Sequence, residues 1–447
     1  MITARAPRLA RAGRSVVLGD NLGEQPVSAF CIGGPHLGAL TAADGAKLAA
    51  AADRALSLRV PLVGVMASSG AEVADGVDAL HGWGTAARAL ARCSGAVPIV
   101  LAVVGPALSG PALLLGMADV VVMTEDAFAY ISGPSMVAAV TGMHLTPTAL
   151  GGADAHARHT GVAALVAVDA EEAAFLLEDV LGYLPRCAEA PPPFRPTTDP
   201  AERRTPSVYD LVPSRDAESY DVRGIVREIV DDGILLELRA QWAPNMVTGL
   251  ASIAGMPVGV VANQPQVMAG TVDIPASQKA ARFVRFCDAF NIPLVTVVDT
   301  PGFLPGAYVE WRGMIRYGAQ LAAAYAEATV PRVCLILRKA YGGAYIVMDC
   351  KAMGNDMCLA WPTAEVAVMG ASSAVAILHR GAPDHLRTEQ EVAYRAGFSH
   401  PYIAAERGYV DAVIDPAETR PAIAAALSML RPKQEPLPRR RHDNVPV

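Results

Sequence analysis

The chain contains its own pattern twice. Arg59–Gly70 (RVPLVGVMASSG) resembles Asn291–Gly302 (NIPLVTVVDTPG), 232 residues later. Pro98, before Ile99-Val100-Leu101, matches Pro331, before Val333-Cys334-Leu335, at 233 residues, and Gly110 matches Gly343 at the same spacing. Ala127–Gly133 matches Ala364–Gly370 at 237 residues. Spacing this constant predicts one fold used twice with small insertions. In the second copy a β-branched run, Leu294–Val298, follows a proline and ends in the turn Asp299-Thr300-Pro301-Gly302. A helical stretch follows, with Gly318, Leu321, Ala322 and Tyr325 on one side; next come a buried strand, Val333–Leu337, and the turn Tyr341-Gly342-Gly343-Ala344, with Tyr345–Met348 opening a helix. Continuous apolar strands alternating with helices predict an α/β layered architecture.

Between the copies lies a stretch with Pro191-Pro192-Pro193, Pro196, Pro200 and Pro206 among charged and polar residues. It reads as a linker that cannot pack a core. The expected organisation is a basic tail over 1–19, a first domain over 20–185, the linker over 186–219 and a second domain over 220–447, with regular structure resuming near Tyr220. The tail carries Arg5, Arg8, Arg11 and Arg14 with no acid before Asp20; it reads as a frayed terminus rather than a transit peptide.

A net charge of −7 gives no global attraction to nucleic acid or to an anionic membrane. Ala96–Ala118 is uncharged and long enough to span a bilayer, but Gly105-Pro106 and Gly110-Pro111 interrupt it, so strand, turn and buried helix is the expectation. The seven cysteines are scattered, with no C-x-x-C and no Cys/His cluster, which points away from a metal or a disulfide framework and toward a reducing, cytoplasmic setting.

The chemistry is concentrated in the glycine turns. A strand-to-helix turn leaves backbone N–H groups without internal partners, and two such groups aimed at one point form an oxyanion hole in which a single donor contributes about 3 kcal/mol to the transition state. Gly342-Gly343-Ala344 is one such turn and Ala107-Leu108-Ser109-Gly110 is its counterpart. Two holes suit a transfer between two carbonyl-bearing partners, where hydrolysis needs one. No Ser-His-Asp order is evident. Asp299 is expected to cap the turn after its strand, and His156 and His159 read as satisfied structural histidines.

Longer runs carry a resemblance. Asn263-Gln264-Pro265, Ala280–Leu294 (AARFVRFCDAFNIPL), Asp299–Gly306 (DTPGFLPG), Arg338–Tyr345 (RKAYGGAY), Trp361–Ala371 (WPTAEVAVMGA) and the tail Arg441–Val447 resemble the carboxyltransferase β subunits of propionyl-CoA and acetyl-CoA carboxylases. The resemblance covers roughly 20–447 and is strongest from Tyr220 on. It implies two tandem crotonase-like (ββα-superhelix) domains, with active sites formed between the first domain of one subunit and the second domain of another. It places the biotin ureido oxygen on the N–H groups of Gly343 and Ala344, and the acyl-CoA thioester oxygen on those of Ser109 and Gly110. It extends substrate binding to Tyr341, Gly342, Tyr345, Ile346, Gly302, Phe303, Ser69, Gly70, Ala71 and Gly133. Propionyl-type members often carry Asp where Ile346 stands, so the apolar side chain implies another acyl preference.

The first half departs from the family pattern Asp-Ser-Gly-Gly-Ala-Arg, reading Ala67-Ser68-Ser69-Gly70-Ala71-Glu72, and Ser109 replaces the first oxyanion glycine with Pro111 after the pair. Glu72 in place of Arg repels CoA phosphates if it faces them. The helical segment that usually precedes the first domain is also expected to be missing. No Met-Lys-Met signal and no P-loop is visible, so biotin and ATP chemistry are expected on other chains: a biotin carboxylase and biotin carboxyl carrier subunit. The assembly is expected to be a trimer of dimers or a mixed hexamer. The expected activity is carboxyl transfer from carboxybiotin to the α-carbon of an acyl-CoA. The alternatives are a non-catalytic subunit of a mixed complex and a biotin-dependent decarboxylase or transcarboxylase.

Overall fold

The computed structural model describes residues 16–23, 25–33, 38–213, 215, 218–380 and 383–441. Most of the basic tail, and Arg441–Val447 apart from its first residue, lie outside them. Two compact units share the chain: the first runs to Pro193 and takes in Arg239–Trp242 and Ala289–Asn291, and the second comprises the rest.

The first unit is built on a seven-stranded sheet: β1 (Val16–Leu22), β2 (Gln25–Ile32), β3 (Leu62–Ser68), β4 (Ile99–Leu108), β5 (Val120–Thr124), β6 (Phe128–Tyr130) and β7 (Leu165–Ala167). The second is built on β8 (Leu236–Glu237), β9 (Met246–Ile253), β10 (Met256–Asn263), β11 (Leu294–Thr300), β12 (Arg332–Tyr341), β13 (Met357–Ala360), β14 (Glu365–Ala367) and β15 (Ala412–Val413). Apart from β8, the two sheets have the same plan. An antiparallel pair, β1·β2 or β9·β10, feeds parallel strands in the order β2-β3-β4-β5-β7 or β10-β11-β12-β13-β15. A short extra strand, β6 or β14, pairs with the end of β4 or β12. This is the duplication read from the repeat spacing, and it is crotonase-like. Its strands are apolar along their length because helices cover the sheet; all seven residues of β11 are buried.

One irregularity positions the chemistry. β3 and β4 keep register to Met66↔Val103 and resume at Ser68↔Ala107, and β11 and β12 keep register to Val298↔Ile336 and resume at Thr300↔Ala340. Two extra residues in β4 and in β12 bend the strand end away from its neighbour, where β6 or β14 takes it up. The glycine turn follows immediately in each copy.

In the first unit the helix Ala42–Leu58 starts on a capping box, Thr41 with Asp44. It packs on the helix Val77–Cys93 so closely that a Cβ on Gly45 would stand 2.1 Å from the Gly82 carbonyl oxygen. Ala96–Ala118 folds as β4, a short 3-10 turn (Gly110–Leu113) and the helix Leu114–Met117, and among the described residues no helix is long and apolar enough to cross a membrane.

The proline-rich stretch is packed, contrary to the expectation from its composition. Thr205 and Val208 are buried; Arg195 N–H donates to the Gly255 carbonyl at 2.8 Å and Thr205 N–H to that of Ala417 at 2.8 Å. The buried Arg420 guanidinium donates to the carbonyls of Pro200 at 3.0 Å and Asp199 at 3.1 Å. The prolines exclude regular structure, but the carbonyls they leave open are what Arg420 binds. Helix resumes at Val208–Leu211, ahead of Tyr220.

Candidate active site

The turn after β12 is formed by Gly342, whose φ of +58° is one that residues with a side chain rarely adopt and whose Cβ would meet the Val368 carbonyl oxygen at 3.1 Å. Gly343 and Ala344 follow in the first turn of the helix Gly342–Val347, where helix geometry provides no acceptor for their N–H groups. Among the described residues no other acceptor takes them. Gly343 is exposed and Ala344 fully buried, so the pair opens on one side only. The Phe303 ring lies 3.3 Å from where a Gly343 Cβ would be, while nothing stands within 4 Å of a Cβ on Gly302. Gly302 and Leu304 are tied to Val272 by backbone bonds of 3.1 and 2.9 Å, which fixes Phe303 as a wall of the turn.

The side chains around the turn are held rather than free. Tyr341 donates its hydroxyl to the Glu365 carboxylate. Burial pushes the Tyr345 phenol well above its ordinary range. Ile346 is 41% exposed beside them. Cys287 and Cys334 are fully buried free thiols whose pKa is also raised, Cys287 by burial and Cys334 by its hydrogen bond with Cys358 and by burial, which makes them poor nucleophiles.

Asp299 does not cap the turn that follows it. It is 1% exposed and anchors a buried network: Arg338 Nε donates to Oδ2 at 2.9 Å, Tyr220 Oη to Oδ2 at 2.8 Å, and the Lys339 N–H to Oδ1 at 3.1 Å. The Arg338 guanidinium stacks on the Tyr220 ring, and burial, then the Asp299 carboxylate, raise the Tyr220 pKa. The sequence signal was present: Arg338 and Lys339 follow the apolar run Val333–Leu337, and a buried guanidinium requires a carboxylate.

Past the helix, Asp349 is fully buried against Arg332 at 2.7 Å, and burial pushes its carboxyl up to about 7 from an ordinary 3.8, against the pull of Arg332. The folded chain therefore holds this proton more tightly than the unfolded chain does. Stability from this group is full below about pH 4 and is lost as pH rises toward 7. Urea melts over that range are expected to show the decline, and Asp349→Asn to flatten it.

In the first unit the corresponding turn differs. Aligned through the β6 and β14 pairings, Ser109 occupies the place of Gly342, Gly110 that of Gly343 and Pro111 that of Ala344. Ser109 adopts φ 62°, ψ −149°, a region that is essentially glycine's own and costs a side chain about 1–3 kcal/mol. Its N–H donates to the Tyr130 carbonyl at 2.9 Å and its own carbonyl accepts from Ala112 at 3.0 Å. The Ser109 N–H, expected to face the thioester, is therefore already engaged, because the Tyr130 carbonyl at the end of β6 takes it. Pro111 has no N–H. Gly110 alone keeps an amide without an acceptor among the described residues.

Gly70 stands beside this turn; its Cβ would lie 3.3 Å from both the Leu108 oxygen and Ser109 Cβ. The Gly70 N–H donates to Ser68 Oγ at 3.2 Å, and Ala71 bridges to Leu40. Ser69 lies between Ser68 and Gly70 in the chain, and Gly133 borders Tyr130, with a Cβ position 3.4 Å from its ring. Glu72 spends its carboxylate on the Ala74 N–H at 3.1 Å. His156 donates or accepts only locally, to the Ala129 carbonyl and Thr160 Oγ1, both at 2.8 Å.

Residues 35–445 match the Carboxyl transferase domain family. The chain belongs to that family. It is an acyl-CoA carboxyltransferase of the biotin-dependent enzymes. It is 42% identical over 92% of its length to the propionyl-CoA carboxylase beta chain of Roseobacter denitrificans, covering 81% of that protein. It is likewise 42% identical over 90% of its length to the methylmalonyl-CoA carboxyltransferase 12S subunit of Propionibacterium freudenreichii subsp. shermanii, covering 77% of it. Among solved structures, a transcarboxylase 12S crystal structure, described as a hexamer with methylmalonyl-coenzyme A bound, superposes with a TM-score of 0.94 at 41% identity. The match covers 97% of this carboxyltransferase and 85% of that chain.

Proposed function

We propose that this carboxyltransferase moves a carboxyl group from carboxybiotin to the α-carbon of an acyl-CoA, the biotin being carried on a separate chain. The observation that carries the reading is the pair of unengaged amides at the exposed Gly343 and the buried Ala344, walled by Phe303 and set at a bulge that both copies share. Biotin, when bound, supplies the transferable carboxyl and a ureido oxygen that takes on negative charge. The two amides stabilise that charge without reorganising, since the Asp299 network and the Tyr341–Glu365 bond already fix the strand end and the turn. The turn carries no carboxylate or imidazole, and its two phenols are tied or buried, so this part of the chain orients the charge and leaves proton transfer to the reactants. Gly110 supplies the matching donor for the thioester oxygen. Trp311 and Ile315, 85% and 84% exposed, suit contacts between subunits in an oligomer of the kind described for the 12S protein.

The test is incubation of the purified carboxyltransferase with a carboxylated biotin carrier and acyl-CoAs of increasing chain length. Carboxylated thioester is expected. Its absence, with a related enzyme active on the same reagents, overturns the reading. Ile346→Asp is expected to lower kcat/KM for the longer, more apolar thioesters about tenfold relative to propionyl-CoA, as an apolar pocket contact is lost; a panel of initial rates checks it.

A further inference from the structure

The first-unit turn lacks the second backbone donor that its counterpart has, because Pro111 stands where Ala344 stands and the Ser109 N–H is held by Tyr130. A side chain lies in the right place to supply one. Trp83 projects from the helix Val77–Cys93 onto this turn. A Cβ built on Gly110 would lie 2.8 Å from its Cε2, 2.9 Å from its Cζ2 and 3.1 Å from its Nε1. Indole Nε1 can only donate. Here it is buried and has no hydrogen-bond partner among the described residues. A buried donor left open costs about 1–3 kcal/mol, and it is found beside the one open amide of the turn. Ser109 stores backbone strain at the same point.

We propose that Trp83 Nε1–H is the second donor to the thioester oxygen, so that one amide, Gly110, and one indole replace a pair of amides. Gly110 must then be glycine, since any Cβ there would collide with the indole. The inference rests on the carboxyl-transfer reading, and its test is arranged to fail separately from it.

Trp83→Phe keeps the packing ring and removes the N–H. It is expected to lower kcat for carboxyl transfer to propionyl-CoA about 10–100-fold with KM changed less than about twofold, the pattern of a donor used in the transition state. Pro111→Ala in the Trp83→Phe background restores a backbone N–H and is expected to recover kcat at least about fivefold. A Trp83→Phe enzyme with wild-type kcat overturns the proposal. So does a loss that Pro111→Ala leaves untouched, which assigns Trp83 to packing. A binding measurement independent of turnover compares propionyl-CoA with S-propyl-CoA, a thioether without the carbonyl oxygen. The wild-type preference for the thioester is expected to shrink about fivefold in Trp83→Phe, and an unchanged preference again overturns the proposal. If the wild type transfers no carboxyl group yet shows this preference and loses it on substitution, the parent reading fails and the indole donor stands.

Discussion

Ala344→Pro is expected to lower kcat for carboxyl transfer by about 10²–10³-fold, with the chain still folded. The substitution removes one N–H from the pair that faces the biotin side, and loss of a single oxyanion donor carries about 3–4 kcal/mol of transition-state stabilisation. The fold itself indicates that proline is accommodated there: Pro111 occupies the same place in the first unit, after the same bulge and one residue after a glycine. Proline is tolerated in the first turn of a helix because the missing N–H has no helical partner. The restriction that proline places on its predecessor falls on Gly343, which accepts it. Ala344→Ser keeps the N–H and serves as the control, expected within a few-fold of wild type. Steady-state kinetics alongside thermal melts decide the matter. A folded Ala344→Pro enzyme with kcat within threefold of wild type would sink the oxyanion assignment, and a change confined to KM would point to uniform binding instead.

The architecture was legible because it is written twice. The repeated proline-led strands and the 233-residue spacing from Gly110 to Gly343 locate β3, β4, β11 and β12 and both turns. Apolar runs at strand length read correctly because both faces of these strands are covered. What composition misjudged was the segment after Pro193, since proline content reports the absence of regular structure and says nothing of carbonyls bound by a distant arginine such as Arg420. Asp299 was misread for a similar reason. A carboxylate at a strand end caps locally when it is exposed, and here Arg338 and Tyr220 draw it inward. At the first-unit turn the residues were visible but their hydrogen bonds were not. Whether the Ser109 N–H is open depends on where β6 pairs, a register fixed by tertiary structure. Position-by-position comparison of the two copies sets Pro111 against Ala344 and is the signal that reveals the missing donor.

Asp299→Ala is expected to destabilise the second unit by about 3–5 kcal/mol, the cost of leaving a buried charge without its partner. Arg338 is 8% exposed and Tyr220 6%. With the carboxylate gone, the guanidinium is left among the described residues with the Glu218 carbonyl, at 3.0 Å, and Tyr220, on whose ring it stacks, while the Tyr220 hydroxyl and the Lys339 N–H lose the Asp299 acceptor. For a unit of this size each kcal/mol moves Tm by about 2–4 °C, so the melting transition is expected to fall by roughly 10 °C. Tyr220→Phe removes one hydrogen bond and is expected to cost about 1 kcal/mol. Lys339 lies at the bulge that delivers the strand to Gly342, so kcat measured well below the transition is expected to fall as well, because the amides of Gly343 and Ala344 lose their fixed aim. The double variant Asp299→Leu with Arg338→Met replaces the pair by apolar groups of similar volume and is expected to regain most of the stability but not the rate. If it regains both, the ion pair serves only to fill the core, and the aim of the turn must be set by the Tyr341–Glu365 bond.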